Sequence, residues 1–451
     1  MNIGKYRVAG LLGAGGMGRV YKAVLPVAGR VVALKRLMPD ETLEMLWGED
    51  AVERLFLDEA RVLGRLRHPR IASVLDCDRD EAGRPFYTME YFCANLGSML
   101  AESYQAEEPS RVLPPPWAAR LGREVLDGVG RLHQDGVLHR DLKPFNVMLD
   151  DEGRARLIDF GLHRVRGERW ESPRGVAIGT PFYTAPEQEA DPDAAGPEAD
   201  LYSVGVMLWR MLTGALPDEN PAARTPPSAA NPGLFEAFDA VLTRAVAPDP
   251  GRRYADAGAM AGELYEALTA WEQARAGHCE LPPEPGGAEG PARPAPRSRP
   301  SKISKDEARV VLGLDALRHP WPPPAPDPLD NGDGTVTDRA TGLTWERGVS
   351  PHTLQWDEAA DWAGELNRQG LGGHGDWRVP TASELAGLLL PAAGVETLCL
   401  DPVFAPARGG LWSADRATFT KAWFADPALG CIDRADMDCL RSVRCVRGGE
   451  P

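Results

Sequence analysis

The sequence predicts an α+β chain of several domains: a small β-rich lobe, a larger helical lobe, a proline-rich linker and a small α+β domain at the C-terminus. Apolar residues near the start alternate in β fashion (Tyr6, Val8, then Val31 to Leu37), whereas Val52 to Arg67 and Leu121 to His133 carry helical spacing. Between Pro282 and Pro328 there are 13 prolines, a composition that cannot pack a core and favours extended, semi-rigid chain. Beyond it, 6 of the 12 tryptophans fall within residues 345–423 among Gly and Asp turns, which marks a compact domain of different character. A length of 451 residues agrees, since one core rarely organises so long a chain. The expected boundaries are 1–275, 276–327 and 328–451. Within the linker, Lys305 to Leu317 has helical apolar spacing at Val310, Val311, Leu314 and Leu317, so a short helix is expected at 303–318, either as a docking motif or packing back on the two N-terminal lobes.

A formal charge of −16 disfavours a nucleic-acid or anionic-membrane binder, because phosphate-rich partners need a positive surface field, although a local basic patch is left open. No run of about 18 apolar residues exists and Met1-Asn2-Ile3-Gly4-Lys5 lacks a signal-peptide pattern, so no membrane span and a cytoplasmic location are expected. The 7 cysteines contain no CxxC pair, which argues against a zinc ribbon or a thioredoxin-like site. Four of them, Cys399, Cys431, Cys439 and Cys445, are read as thiols, with disulfides as the alternative.

Three motifs carry chemistry. Gly13-Ala14-Gly15-Gly16-Met17-Gly18-Arg19-Val20 is a GxGxxGxV loop whose missing side chains let backbone N–H groups approach phosphate oxygens. Alone it is weak, but the hairpin-like alternation that follows favours strand-loop-strand over the strand-loop-helix of a dinucleotide site. In Val32-Ala33-Leu34-Lys35 a lysine projects from an apolar strand, where an ammonium could meet phosphate; a surface lysine is the plain alternative. Its carboxylate partner is sought on the next helix, where Glu59 accompanies the inward stripe Phe56, Ala60 and Leu63 and Glu53 competes. The most specific signal is His139-Arg140-Asp141-Leu142-Lys143-Pro144-Phe145-Asn146, followed by Asp159-Phe160-Gly161 after the apolar strand Arg156-Leu157-Ile158.

On these motifs residues 6 to about 272 resemble a bacterial serine/threonine protein kinase of the eukaryotic type, which implies the bilobal protein-kinase fold. The resemblance implies that Asp141 orients the attacking hydroxyl, Lys143 neutralises the transferring phosphoryl group, Lys35 and Glu59 form the lysine–glutamate pair, and Asn146 and Asp159 hold Mg2+. It favours Glu59 over Glu53, because Glu59 lies nine residues before His68-Pro69. It also implies ATP binding by Leu12, Gly13, Ala14, Gly15, Gly16, Gly18, Val20, Ala33, Lys35, Met89, Glu90 and Phe92. Gly179 to Glu187 resembles the end of an activation segment, Asp200 the buried anchor of the catalytic loop, and Arg253 the partner of Glu187. Lys143-Pro144 and Thr180-Pro181 resemble the serine/threonine pattern and not the tyrosine one. Arg140 beside Asp141 implies activation by phosphorylation, with Ser172 and then Thr180 as acceptors. The alternatives are a catalytically silent pseudokinase scaffold, although all five motif residues are present, and a kinase acting on a small molecule.

Asp330-Asn331-Gly332-Asp333-Gly334 resembles a calcium loop at first glance, but the oxygens do not alternate and no glutamate closes it, so hairpin turn chemistry is the better reading. Thr341 to Trp345, Gly375 to Leu385, Leu411-Trp412-Ser413 and Val443 to Arg447 form a series resembling the C-terminal domain family of bacterial collagen-like adhesins over 328–448. A looser resemblance to C-type-lectin-like folds implies a ligand- or partner-binding domain presenting Ser413 to Arg441. Most tryptophans are expected in its core. Asp426, Asp433, Asp436 and Asp438 read as a solvated loop, and no catalytic cluster emerges here.

Overall fold

The alternation that opens the chain builds an antiparallel sheet from β1 (Asn2–Ile3), β2 (Tyr6–Gly15), β3 (Gly18–Leu25) and β4 (Arg30–Leu37). After α1 (Glu41–Trp47) and α2 (Glu49–Arg65), β5 (Val74–Arg79) and β6 (Pro85–Glu90) complete it in the order β1-β2-β3-β4-β6-β5. This computed structural model describes residues 1–102, 108–159, 182–191, 195–277, 296–391 and 399–449. Val52, Phe56, Glu59, Ala60 and Leu63 form the buried face of α2, one stripe at helical spacing that sets a carboxylate among apolar neighbours. The helix stops at Leu66, whose extended backbone leads into His68-Pro69.

A second, small sheet of β7 (Ala94–Asn95), β8 (Val147–Leu149) and β9 (Ala155–Leu157) follows in the order β7-β8-β9, with α3 (Leu96–Met99) and α4 (Pro115–Gln134) between β7 and β8. Next come α5 (Pro186–Ala190) and α6 (Pro197–Thr213), then α7 (Pro227–Ala230), α8 (Asp239–Ala245) and α9 (Ala257–Gly277). Every residue of α6 from Ala199 to Leu212 is buried, the signature of a helix enclosed on all sides. Helix α4 packs on α6 and α9 at Gly122, where an added Cβ would lie 2.6 Å from Leu208 and 3.1 Å from Leu264. These elements belong to a first compact unit, which ends at His278.

The second unit holds essentially the rest of the chain, from Cys279. After α10 (Ala308–Val311), strands β10 (Pro328–Asp330), β11 (Thr335–Asp338) and β12 (Leu343–Glu346) pair with β16 (Val446–Arg447) in one sheet. Asn331 to Gly334 make the β10–β11 turn, as its Asn-Gly and Asp-Gly chemistry predicts. Helices α11 (Ala359–Gln369) and α12 (Ala382–Leu388) precede a second sheet of β13 (Leu411–Arg416), β14 (Lys421–Asp426) and β15 (Cys431–Asp436). Thr381 and Glu384 cap α12 reciprocally. Trp345, Trp423, Leu385, Ile432 and Val446 meet in the core, and Trp377 and Trp412 are buried too.

Three expectations differ from this architecture. The proline-rich stretch is not open linker throughout, because Ile303, Ala308, Leu312 and Leu314 lie in the core of the second unit. Its helix is one turn, and the expected apolar set is split: Val310 is 83 % and Val311 44 % exposed, while Leu314 is buried together with Ala308 and Leu312. Ser413 to Arg441 is largely interior sheet and not a presented surface, with Ser413, Asp415, Trp423, Ile432 and Ala435 all buried. Asp433 and Asp436 accordingly sit buried in β15 and not on a solvated loop, and a sheet face packed on both sides leaves no alternation to reveal it. Cys399, Cys431, Cys439 and Cys445 are all buried, Cys399 and Cys445 as free thiols.

Candidate active site

The glycine loop is the β2–β3 hairpin, with Gly15 opposite Gly18. Gly18 is needed by the fold, since a Cβ there would lie 2.2 Å from the Arg36 carbonyl oxygen. At Gly13 and Gly15 an added Cβ would meet nothing within 4 Å, so these glycines leave clearance above the sheet that the fold itself does not require. Ala14, Gly16 and Leu12 are exposed along the same loop, Val20 is half-buried, and Ala33 stands opposite Met89 across β4 and β6. Glu90 ends β6 and accepts the Ser73 amide at 3.1 Å; Phe92 follows, half-buried.

Lys35 leaves β4 toward α2 and donates to Glu59 Oε1 at 2.9 Å, Glu59 Oε2 at 3.1 Å and Asp159 Oδ1 at 2.8 Å. Glu53, the competitor, pairs instead with Arg79 near the surface. Burial alone would lower the Lys35 pKa, but Asp159 and Glu59 outweigh it and hold the ammonium well above its ordinary range. Glu59 is pushed up by its own burial against the pull of Lys35. Asp159, whose side chain is 30 % exposed, is drawn down by Lys35 in spite of the burial of its site. Two carboxylates thus share one cation, leaving a net negative charge open to a further positive group.

The loop between α4 and β8 carries the other half. Asp141 Oδ2 accepts from Lys143 Nζ at 2.9 Å and from Asn146 Nδ2 at 3.0 Å, and Asn146 also donates to the Asp141 carbonyl at 2.8 Å. Arg140, at φ 64°, occupies the left-handed region that a non-glycine residue enters at a cost of about 1–3 kcal/mol. Its amide donates to Asp200 Oδ1 at 2.8 Å and its carbonyl accepts from Gln188 Nε2 at 2.8 Å, so both sides of the strained residue are held. Asp200 also accepts from the His139 amide at 2.9 Å and pairs with His133 at 2.8 Å. Burial works to raise the Asp200 pKa, but these donors, His133 first, bring it below the ordinary carboxylate range. Arg253, fully enclosed, grips Glu187 with two bonds of 2.7 Å. Asn146 and Asp159 both stand here with oxygen ligands to offer, and two protein ligands suit Mg2+, which takes the rest of its shell from phosphate and water. Among the described residues no group of three His, Cys, Asp or Glu side chains could hold a metal. Ser172 and Thr180 lie outside the described residues, as do Phe160 and Gly161.

Residues 6–234, half of the chain, match the model of the protein kinase domain. The chain belongs to the protein kinase domain family. Its kinase portion is 33% identical over 291 residues to serine/threonine-protein kinase PksC of Streptomyces coelicolor, covering 60% of this chain and 50% of that one. It is 32% identical to PknH of Mycobacterium tuberculosis, covering 65% and 46%, and 34% identical to pkn3 of Myxococcus xanthus, covering 58% and 49%. The chain therefore spans about half the length of the curated relatives it matches. The crystal structure of the Mycobacterium tuberculosis PknI kinase domain aligns at 28% identity and TM-score 0.45, covering 59% of this chain and 98% of that one. Residues 334–447 match a second model, the Lcl C-terminal domain, inside the span that resembles the adhesin family.

Three members of the candidate site carry no motif of their own in the sequence: His133 and Gln188, which brace the 139–146 loop, and Tyr87, whose hydroxyl donates to Glu59 at 3.1 Å. Tyr87 lies in a strand buried along most of its length, where a phenol beside Phe86 and Met89 is the one local signal.

Proposed function

We propose that this chain transfers the γ-phosphoryl group of ATP to serine or threonine hydroxyls of protein substrates. The observation that carries the proposal is the Asp141 carboxylate, held by Lys143 and Asn146, together with the Lys35 ammonium between Glu59 and Asp159. Asp141 would orient the substrate hydroxyl and accept its proton. Lys143 would place its charge beside the transferring group, and Lys35, oriented by Glu59, would hold the α and β phosphates. Asn146 and Asp159 would hold Mg2+, which supplies charge neutralisation at the β and γ phosphates. The clearance over Gly13 and Gly15 leaves room for backbone amides to approach phosphate, while Leu12, Val20, Ala33, Met89, Glu90 and Phe92 would enclose the adenine. Rate would come from positioning and charge, with no covalent intermediate on the protein.

Phosphorylation of Ser172 or Thr180 as the activating step is supported by Arg140 next to Asp141. For residues 328–451 we infer recognition of a ligand or protein partner, with a C-type-lectin-like architecture as the form; the resemblance to adhesin C-terminal domains supports this. The acidic charge supports a partner other than nucleic acid. Among the described residues no helix is long and apolar enough to cross a membrane, and we infer a cytoplasmic location. Incubation of the purified chain with Mg·ATP beside the Asp141→Asn variant, with phosphosites mapped by mass spectrometry, tests the reading. Phosphorylation of no protein at all, or phosphorylation that survives Asp141→Asn, overturns it.

A further inference from the structure

Lys35 and Tyr87 are direct partners in the β4–β6 register, so both side chains leave the sheet on one face, toward α2. Tyr87 is wholly buried and meets the helix at two points. Its ring lies 5.2 Å from that of Phe56, and its hydroxyl donates to Glu59 Oε1 at 3.1 Å. Phe56 and Glu59 are three residues apart on the buried stripe of α2, so one sheet residue holds the helix by an apolar contact and a polar one together. We propose that Tyr87 is a positioning residue that keeps α2 seated for phosphoryl transfer by holding the Glu59 carboxylate independently of Lys35. This rests on the kinase reading above.

The reason lies in how the Lys35 ammonium is shared. It bonds Asp159 as closely as Glu59, 2.8 against 2.9 Å, and in the proposed reaction it must also face phosphate. Glu59 is 3 % exposed, and a buried carboxylate that loses its donor faces the full cost of desolvation. The Tyr87 hydroxyl does not depend on the nucleotide. Burial and the neighbouring Glu59 push its pKa well up, so it stays protonated and able to donate at neutral pH. A carboxylate with a donor fixed in the sheet keeps α2 in place while Lys35 turns toward its other partners. An outward swing of α2 would break the Phe56 and Glu59 contacts at once, which makes the seat cooperative.

Tyr87→Phe keeps the ring and removes one oxygen. In the full chain we expect kcat to fall about 10-fold, the usual effect of a lost hydrogen bond to a charged group, with KM for Mg·ATP changing less than about 2-fold. Amide exchange across residues 49–65 should quicken by about 5-fold or more, while the melting temperature stays within about 3 °C of wild type. In a Glu59→Gln background, Tyr87→Phe should cause no further loss in kcat and no further quickening of α2 exchange, because it acts through that carboxylate. Wild-type kcat with wild-type exchange in Tyr87→Phe, or an equal added effect in the Glu59→Gln background, overturns the proposal. A raised KM at unchanged kcat does so too, since it reports ground-state nucleotide binding. If the wild-type chain phosphorylates nothing, the kinase reading fails, and the exchange of α2 in the single and double variants alone decides the role of Tyr87.

Discussion

The candidate site of the first unit and the core of the second handle buried charge differently. At the site of the kinase domain the charged groups converge: Glu59 and Asp159 share Lys35, and the Asp141 carboxylate faces Lys143. In the C-terminal unit three buried carboxylates, Asp415, Glu384 and Asp433, each pair with a separate guanidinium, while Asp338 and Glu346 accept from amides, a hydroxyl and an indole. Asp415, fully buried, takes two bonds from Arg297 and the amides of Ser301 and Ala382. Glu384 takes two from Arg378 and caps the Thr381 amide, and Asp433 pairs with Arg318. Balanced pairs fasten segments, here the stretches at 297–303 and 318 against β13 and β15. The shared Lys35 leaves a net negative field that a bound cation such as Mg2+ would complete.

The contrast can be broken at either side. Asp141→Asn should reduce phosphoryl transfer by about 10³-fold with little change in melting temperature, since a general base contributes on that scale and the group is at the surface of the site; a loss of folding instead would make Asp141 structural. Asp200→Asn should cost about 3 kcal/mol at neutral pH, as expected when one partner of a buried ionic cluster is removed. The Asp200 pKa is lower folded than unfolded, so its stabilisation is present above the ordinary carboxylate value of about 4 and is lost as pH falls through the folded value. Urea titrations of both proteins from pH 7 to pH 3 should therefore converge toward the acid end, and a gap that widens there would contradict the assignment.

Asp415→Asn should destabilise the C-terminal unit by about 2–3 kcal/mol while phosphoryl transfer by the kinase domain stays at the wild-type rate. Amide exchange in β13 and β15 reads the first effect and a phosphorylation assay the second. The smallest effects sharpen the boundary between the units. Leu312→Ala should cost about 2–3 kcal/mol, whereas Val310→Ala, two residues away, should stay within about 0.5 kcal/mol. Equal effects in denaturant midpoints would mean that the 303–314 stretch does not belong to the core.

Much of the kinase site is legible in the sequence because its requirements are local. A glycine loop needs missing side chains at set positions, and a catalytic loop needs Asp141, Lys143 and Asn146 within six residues of one another. The C-terminal unit is less legible. Its Asn-Gly and Asp-Gly turn and its tryptophan core could be read, but nothing local distinguishes a proline-rich tether from a proline-rich strap that packs, nor a polar strand with both faces covered from a loop.

What the sequence alone determined is therefore the set of chemical groups and the order in which they arrive: loop, lysine, glutamate helix, catalytic loop and second carboxylate. Only the tertiary structure decided which distant groups meet. It joined Lys35 to Glu59 and left Glu53 to Arg79; it brought the Tyr87 hydroxyl to a carboxylate 28 residues earlier; and it set Arg297 on Asp415, 118 residues away. Backbone preferences and side-chain spacing act within a turn or a strand, and a short window records them. Burial of a charge is stable only with a partner that the fold, and not the neighbouring sequence, supplies.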